Sequence, residues 1–113
     1  ELLAPQEVDQ VIEETKQGGA EIVDLLQTGS AYYAPGESIR IMVEAILKDS
    51  HKVVCSCVLL EDEYNGQGVF LGVPVMLGKE GIHKIVKLNL SDDIKAKFAA
   101  AVKSVKGLMK GIK

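Results

Sequence analysis

The sequence has no tryptophan, three tyrosines and two phenylalanines, so aromatics make up only 4% of its 113 residues. Its core must therefore be built from Val, Ile, Leu and Ala. It has two cysteines, Cys55 and Cys57, and two histidines. Two cysteines two residues apart in a strand point to one face, and extended backbone strains a bond between them. With no further cysteine and no histidine cluster nearby, the pair is a poor metal site. Two buried, reduced thiols are the expectation, which fits a reducing, cytoplasmic compartment. No apolar run reaches membrane-spanning length, and no basic start marks a signal peptide. The first residue is Glu rather than Met, which reads as a piece processed or cut from a longer chain.

Positive charge is also scarce. Thirteen Lys and Arg stand against sixteen Asp and Glu, a formal net charge of -3. Nucleic acid is excluded as a main partner, because phosphate recognition needs clustered cations. The one basic run, Lys103, Lys106, Lys110 and Lys113, reads as the solvated face of a helix near its C-terminus. Motifs that carry chemistry alone are absent: no G-x-G-x-x-G, no P-loop, no H-E-x-x-H, no C-x-x-C. His51 and His83 read as residues at strand ends. The acidic run Glu61-Asp62-Glu63 reads as a solvated turn, lacking the alternating ligands of a calcium loop.

What is present is a strong pattern. Pro5 and Glu7 suit a helix start. Val8, Val11 and Ile12 follow at helical spacing, Gly18-Gly19 predicts a kink, and Ile22, Val23, Leu25 and Leu26 restart the apolar face. Pro35 opens a second helix, whose stripe is Ile39, Met42, Val43, Ile46 and Leu47. Arg40–Glu44 and Glu44–Lys48 are spaced as ion pairs on its polar side. Residues 51–60 are apolar on both faces and predict a strand covered on both sides. A turn leads to a second strand over 69–77, with Gly72 and Pro74 marking a bend or edge. A four-residue loop over 78–81 leads to a third strand over 82–90. Ser91-Asp92-Asp93 caps a final helix with the buried stripe Ile94, Phe98, Ala101, Val105, Leu108 and Ile112. The order predicts a single α+β domain, with helices packed on a three-stranded antiparallel sheet.

One stretch resists a bland reading. Gly29-Ser30-Ala31-Tyr32-Tyr33-Ala34-Pro35 is small and weakly polar where a surface loop is normally polar. It must face a pocket or another subunit.

Ala20-Glu21-Ile22-Val23, Thr28-Gly29-Ser30-Ala31-Tyr32-Tyr33-Ala34-Pro35 and Met42-Val43-Glu44-Ala45-Ile46-Leu47-Lys48-Asp49 resemble the lactate/malate dehydrogenase family, in its malate dehydrogenases of the lactate dehydrogenase-like group. So does Phe70-Leu71-Gly72-Val73-Pro74-Val75-Met76-Leu77-Gly78-Lys79-Glu80-Gly81-Ile82, and so does Cys55-Ser56 ahead of Leu60-Glu61-Asp62-Glu63-Tyr64. The likeness runs through the whole chain in order. It implies that residues 1–113 are the C-terminal half of a substrate-binding domain. In such enzymes an N-terminal Rossmann domain binds NAD, and a hydride passes between the nicotinamide and a 2-hydroxy or 2-oxo acid. A His oriented by an Asp moves the hydroxyl proton, and arginines hold the carboxylate.

None of those residues is in this chain, and neither His51 nor His83 matches the catalytic His. The resemblance carries over only a pocket wall: Ser30 and Ala31 lining the substrate site, with Pro35 approaching that site. Ala31 stands where typical lactate dehydrogenases have Thr, which leaves room for a four-carbon dicarboxylate. The implied parent interconverts malate and oxaloacetate in the tricarboxylic acid cycle, as a homodimer or homotetramer in the cytoplasm. The chain alone is expected to be inactive and to expose an apolar face toward its own N-terminal domain. Two alternatives stand: a fragment of an L-lactate dehydrogenase, and a stand-alone interaction module.

Overall fold

The computed structural model describes residues 3–111. Expectations for Glu1, Leu2, Ile112 and Lys113 lie outside them. The chain divides into two compact units, residues 1–41 and 42–113.

The first unit is dominated by α1 (Pro5–Leu26), a single helix of 22 residues. Pro5 stands in its first turn, and the Ala4 N–H donates to the Glu7 carboxylate at 2.6 Å. The expected kink at Gly18-Gly19 is absent. Each glycine costs a helix about 1 kcal/mol relative to Ala, but it keeps its N–H. The good helix formers on either side, Lys16-Gln17 and Ala20-Glu21, carry the helix through. α1 ends at Gln27, which is left-handed at φ 61° and donates its N–H to the Val23 carbonyl. None of its residues is buried.

α2 (Tyr33–Leu47) runs through the boundary between the units. Its buried side is displaced from the stripe read from sequence. Ala45 is buried and Met42 packs against the core, whereas Ile39 and Leu47 are 62% and 80% exposed. Arg40 makes a two-point pair with the Glu37 carboxylate, and Lys48 pairs with Glu44.

In the second unit, β1 (Lys52–Leu60), β2 (Val69–Gly78) and β3 (Gly81–Ile85) form an antiparallel sheet in the order β1-β2-β3. One face meets α3 (Asp92–Met109) and buries Leu60, Val69, Val73, Val75 and Leu77 with Ala45 and Val102. Phe98 and Val105 pack at its edge, while Ala101 and Leu108 are exposed. The buried line of α3 therefore runs through Val102 rather than Ala101. Ser91 precedes α3 without a side-chain bond to its backbone; its hydroxyl goes to the Asp93 carboxylate instead.

Five expectations for the sheet change. β1 alternates along its length, with Val54, Val58 and Leu60 inward and Val53, Cys55, Cys57 and Leu59 exposed. It is covered on one face only, and both cysteines are exposed and free. The outward residues are apolar enough for a covered strand, but no described residue of this chain covers them. With Phe70 they make an open apolar face. The hairpin turn is tighter than expected: Gly78 and Gly81 pair across it, leaving Lys79-Glu80 as the loop.

β2 is the central strand despite Pro74, so that proline marks no edge. β3 stops at Ile85 rather than continuing to Leu90. Pro74 explains both. Its carbonyl accepts the Val86 N–H at 2.8 Å, but it has no N–H to return to the Val86 carbonyl. Tyr64 supplies the missing donor: its hydroxyl donates to the Val86 carbonyl at 2.7 Å and accepts the Leu88 N–H at 2.9 Å. The chain after β3 is held by a side chain instead of a ladder.

Candidate functional site

The connector between α1 and α2 holds all three residues singled out as a pocket wall. The Tyr32 N–H donates to the Ser30 carbonyl at 2.8 Å, closing a tight turn around Ala31. Gly29 makes that turn possible. It has φ 90°, and a Cβ there would lie 2.7 Å from Cε2 of the Tyr32 ring. At that positive φ any larger residue is strained, which favours glycine. The Gly36 N–H then donates to the Tyr32 carbonyl at 3.0 Å, and the Ser38 hydroxyl to the Ala34 carbonyl at 2.9 Å, which start α2. Pro35 sits in that first turn, where no backbone N–H is needed.

Ser30 and Pro35 are exposed and Ala31 is half-buried. The Ser30 hydroxyl has no hydrogen-bond partner among the described residues. Tyr32 and Tyr33 are also exposed, 63% and 72%. The connector is thus a fixed turn presenting a free hydroxyl, a small side chain and two rings.

A second constellation was not legible in the sequence. Asp49 and His51, both left-handed at φ 46° and 51°, bring their side chains to the β2–β3 turn. The Asp49 carboxylate accepts the Lys79 N–H at 2.9 Å and lies 3.9 Å from His51 Nε2. The His51 and His83 rings meet edge to face at 5.2 Å. Gly78 leaves room for this: a Cβ there would stand 2.8 Å from the Asp49 carboxylate oxygen. The Lys79 N–H holds the Asp49 carboxyl below its ordinary 3.8, aided by the nearby His51, although burial opposes this.

The arrangement is a clasp on the turn. A carboxylate whose folded pKa is depressed stabilises above its unfolded value and loses that contribution as pH falls through the folded one. Replacing Asp49 by Asn keeps the acceptor oxygen and removes the charge. The thermal midpoint of Asp49→Asn should lie below the native one at neutral pH, and the gap should close as the pH drops below 3.8. A gap that stays constant through acid titration would show that the charge contributes nothing.

The acidic turn folds on itself. The Glu63 carboxylate accepts the N–H groups of Glu61 at 3.0 Å and Asp62 at 3.3 Å. Its pKa is lowered, first by its own N–H and then by that of Glu61. Among the described residues, no group of three or more His, Cys, Asp or Glu is placed to hold a metal ion. No helix among them is long and apolar enough to cross a membrane.

Known proteins place this fold. The family description "lactate/malate dehydrogenase, alpha/beta C-terminal domain" matches residues 2–113. A malate dehydrogenase of Halalkalibacterium halodurans is 48% identical over 113 residues, 99% of this chain and 36% of that protein. One of Anoxybacillus flavithermus is 50% identical over 111 residues, 97% of this chain and 36% of that protein. The chain thus spans about a third of the length of these relatives. Among solved structures, the malate dehydrogenase of Cryptosporidium parvum superposes with a TM-score of 0.87 at 43% identity, covering 97% of this chain and 35% of that one. The lactate dehydrogenase of the same organism superposes with 0.89 at 29% identity, covering 99% and 37%. The chain belongs to the lactate/malate dehydrogenase family, of which it is an alpha/beta C-terminal domain.

Proposed function

We propose that this chain is the C-terminal part of the substrate-binding domain of an NAD-dependent malate dehydrogenase, and that by itself it catalyses nothing. The carrying observation is the match: malate dehydrogenases align along its length at 48–50% identity, while it spans about a third of them. The backbone fold does not separate malate from lactate, since both kinds of enzyme superpose on it equally well. Sequence identity favours malate, 43% against 29% within one organism.

NAD is held elsewhere in the intact enzyme. The strands described here are all antiparallel, so there is no parallel βαβ unit to seat a pyrophosphate, and the chain has no G-x-G-x-x-G. When bound, NAD supplies the hydride acceptor; this chain supplies a wall. The free Ser30 hydroxyl is available to hydrogen-bond a substrate carboxylate. Ala31 leaves space for a four-carbon dicarboxylate, and Pro35 stiffens the turn that presents them. The open face of β1 and β2, with Phe70 59% exposed, packs against the remainder of the same enzyme. The intact enzyme works in the cytoplasm, in the tricarboxylic acid cycle, as a homodimer or homotetramer.

The coding sequence upstream of Glu1 tests this reading. It should contain a strand, a G-x-G-x-x-G turn and a helix, and further on a loop arginine facing the acid's side chain. A start codon directly before Glu1 would overturn the proposal in favour of a stand-alone module, and an apolar residue on that loop would make the enzyme a lactate dehydrogenase.

A further inference from the structure

The asparagines of the chain are Asn65 and Asn89. Asn89 precedes Leu90, whose branched side chain crowds the nitrogen between them. Asn65 precedes Gly66, which has no side chain to do so. Asparagine is a labile residue, and the cause is intramolecular. The backbone nitrogen of the next residue can attack the side-chain amide carbon. That nitrogen must first give up its proton, so the hydrogen bond it makes decides whether the reaction runs.

Asn65 ends the short helical turn Glu63–Asn65. Tyr64 and Asn65 are both left-handed, at φ 52° and 57°, a region that asparagine tolerates better than most residues. Asn65 is exposed, whereas Gly66 is buried against the Leu60 side chain. The Gly66 N–H donates to the Glu63 carbonyl at 2.8 Å. Further bonds hold the same turn. The Glu63 carboxylate accepts the Glu61 and Asp62 N–H groups, and the Leu60 carbonyl accepts the Gly68 N–H. The electrophile therefore faces water while the nucleophile is locked.

We propose that Asn65 is a site of spontaneous deamidation, gated by the hydrogen bond from the Gly66 N–H to the Glu63 carbonyl. When the turn opens, the Gly66 nitrogen loses its proton to hydroxide and bonds to the Asn65 side-chain carbonyl carbon. The bond from that carbon to the amide nitrogen breaks, and the nitrogen leaves as ammonia after taking a proton from water. The cyclic imide left behind adds one water at either carbonyl and opens to an aspartyl or an isoaspartyl residue. One water enters, one ammonia leaves, and nothing is oxidised or reduced. Every atom involved belongs to the turn over residues 60–68 or to water, so the reaction does not depend on what covers the chain elsewhere.

The test ages the full 113-residue chain in mildly alkaline buffer, with and without urea, and follows ammonia loss at each residue by peptide mapping and mass spectrometry. In native buffer Asn65 should convert to aspartyl and isoaspartyl forms over weeks while Asn89 stays intact. Urea should speed the conversion at Asn65 at least about tenfold, because the folded turn opens only transiently. Glu63→Ala frees the Glu61 and Asp62 N–H groups and loosens the turn without touching the reacting pair. That variant should react faster than the native chain in buffer and at the same rate in urea. The comparison of the native chain in buffer and in urea stands even where the variant does not fold. Asn65 that stays intact in the fold, or converts no faster in urea, would overturn the proposal. So would Asn89 reacting first, or a folded Glu63→Ala chain that ages at the native rate.

Discussion

Leu60→Ala should remove about 3 kcal/mol of folding stability, within the 2–5 kcal/mol usual for truncating a buried leucine. Leu60 is 0% exposed and ends β1 within the core cluster, opposite Val69. Its surroundings cannot collapse to refill the space. The residue it pairs with across the sheet is Val69, itself 0% exposed. On the other side Gly66 lies so close that a Cβ there would collide with the Leu60 Cδ1. Its backbone is also committed, because the Leu60 carbonyl accepts the Gly68 N–H at 2.8 Å and so closes the turn over residues 61–68. A small domain has only about 5–15 kcal/mol in total, so this single change removes a large fraction of it. Urea unfolding followed by far-ultraviolet circular dichroism is the suitable measurement, since the chain has no tryptophan to report by fluorescence. A loss below about 1 kcal/mol would place Leu60 in a site able to relax, contrary to the close packing described.

Ala31→Thr in the intact enzyme should lower kcat/KM for oxaloacetate by about tenfold or more, the order expected when a pocket is narrowed by one or two heavy atoms. Ala31 sits in a tight turn closed by a backbone hydrogen bond. Gly29 holds φ 90° and the Ser30 carbonyl is bonded to the Tyr32 N–H. On the proposed reading, the added hydroxyl and methyl project into the space the substrate uses. The effect should fall on the longer dicarboxylate and spare a three-carbon 2-oxo acid. Steady-state kinetics with both substrates checks it, and an unchanged kcat/KM for oxaloacetate would remove Ala31 from the pocket wall.

The parts of the fold that were legible in sequence are those fixed by local pattern. The β-branched run from Val53 to Leu60 reads as a strand, the stripe through Met42 and Ile46 reads as a helix, and both are present. What misled was the assumption that apolar residues are covered. Cys55, Cys57, Val53 and Leu59 have the composition of an interior, yet they lie open. Burial depends on what packs against a face, and the chain spans only about a third of the length of the malate dehydrogenases it matches.

Other misses come from contacts distant along the chain. The length of β3 is decided by Tyr64, which lies 22 residues from Val86 and replaces the hydrogen bond that Pro74 cannot make. The Asp49 clasp joins residues 30 apart, and neither partner stands in a motif. At the connector, weak polarity in a loop was the signal that singled out residues 29–35. The structure adds the reason for Gly29 and the unpartnered state of Ser30.

The central claim is that this chain furnishes a pocket wall and no chemistry. The most direct measurement grafts residues 3–111 in place of the matching segment of the Anoxybacillus flavithermus malate dehydrogenase and follows NADH formation from malate, beside the 113-residue chain alone. The graft should oxidise malate and the free chain should give no NADH above background. A free chain that turns over malate, or a folded, NAD-binding graft that does not, would contradict the account.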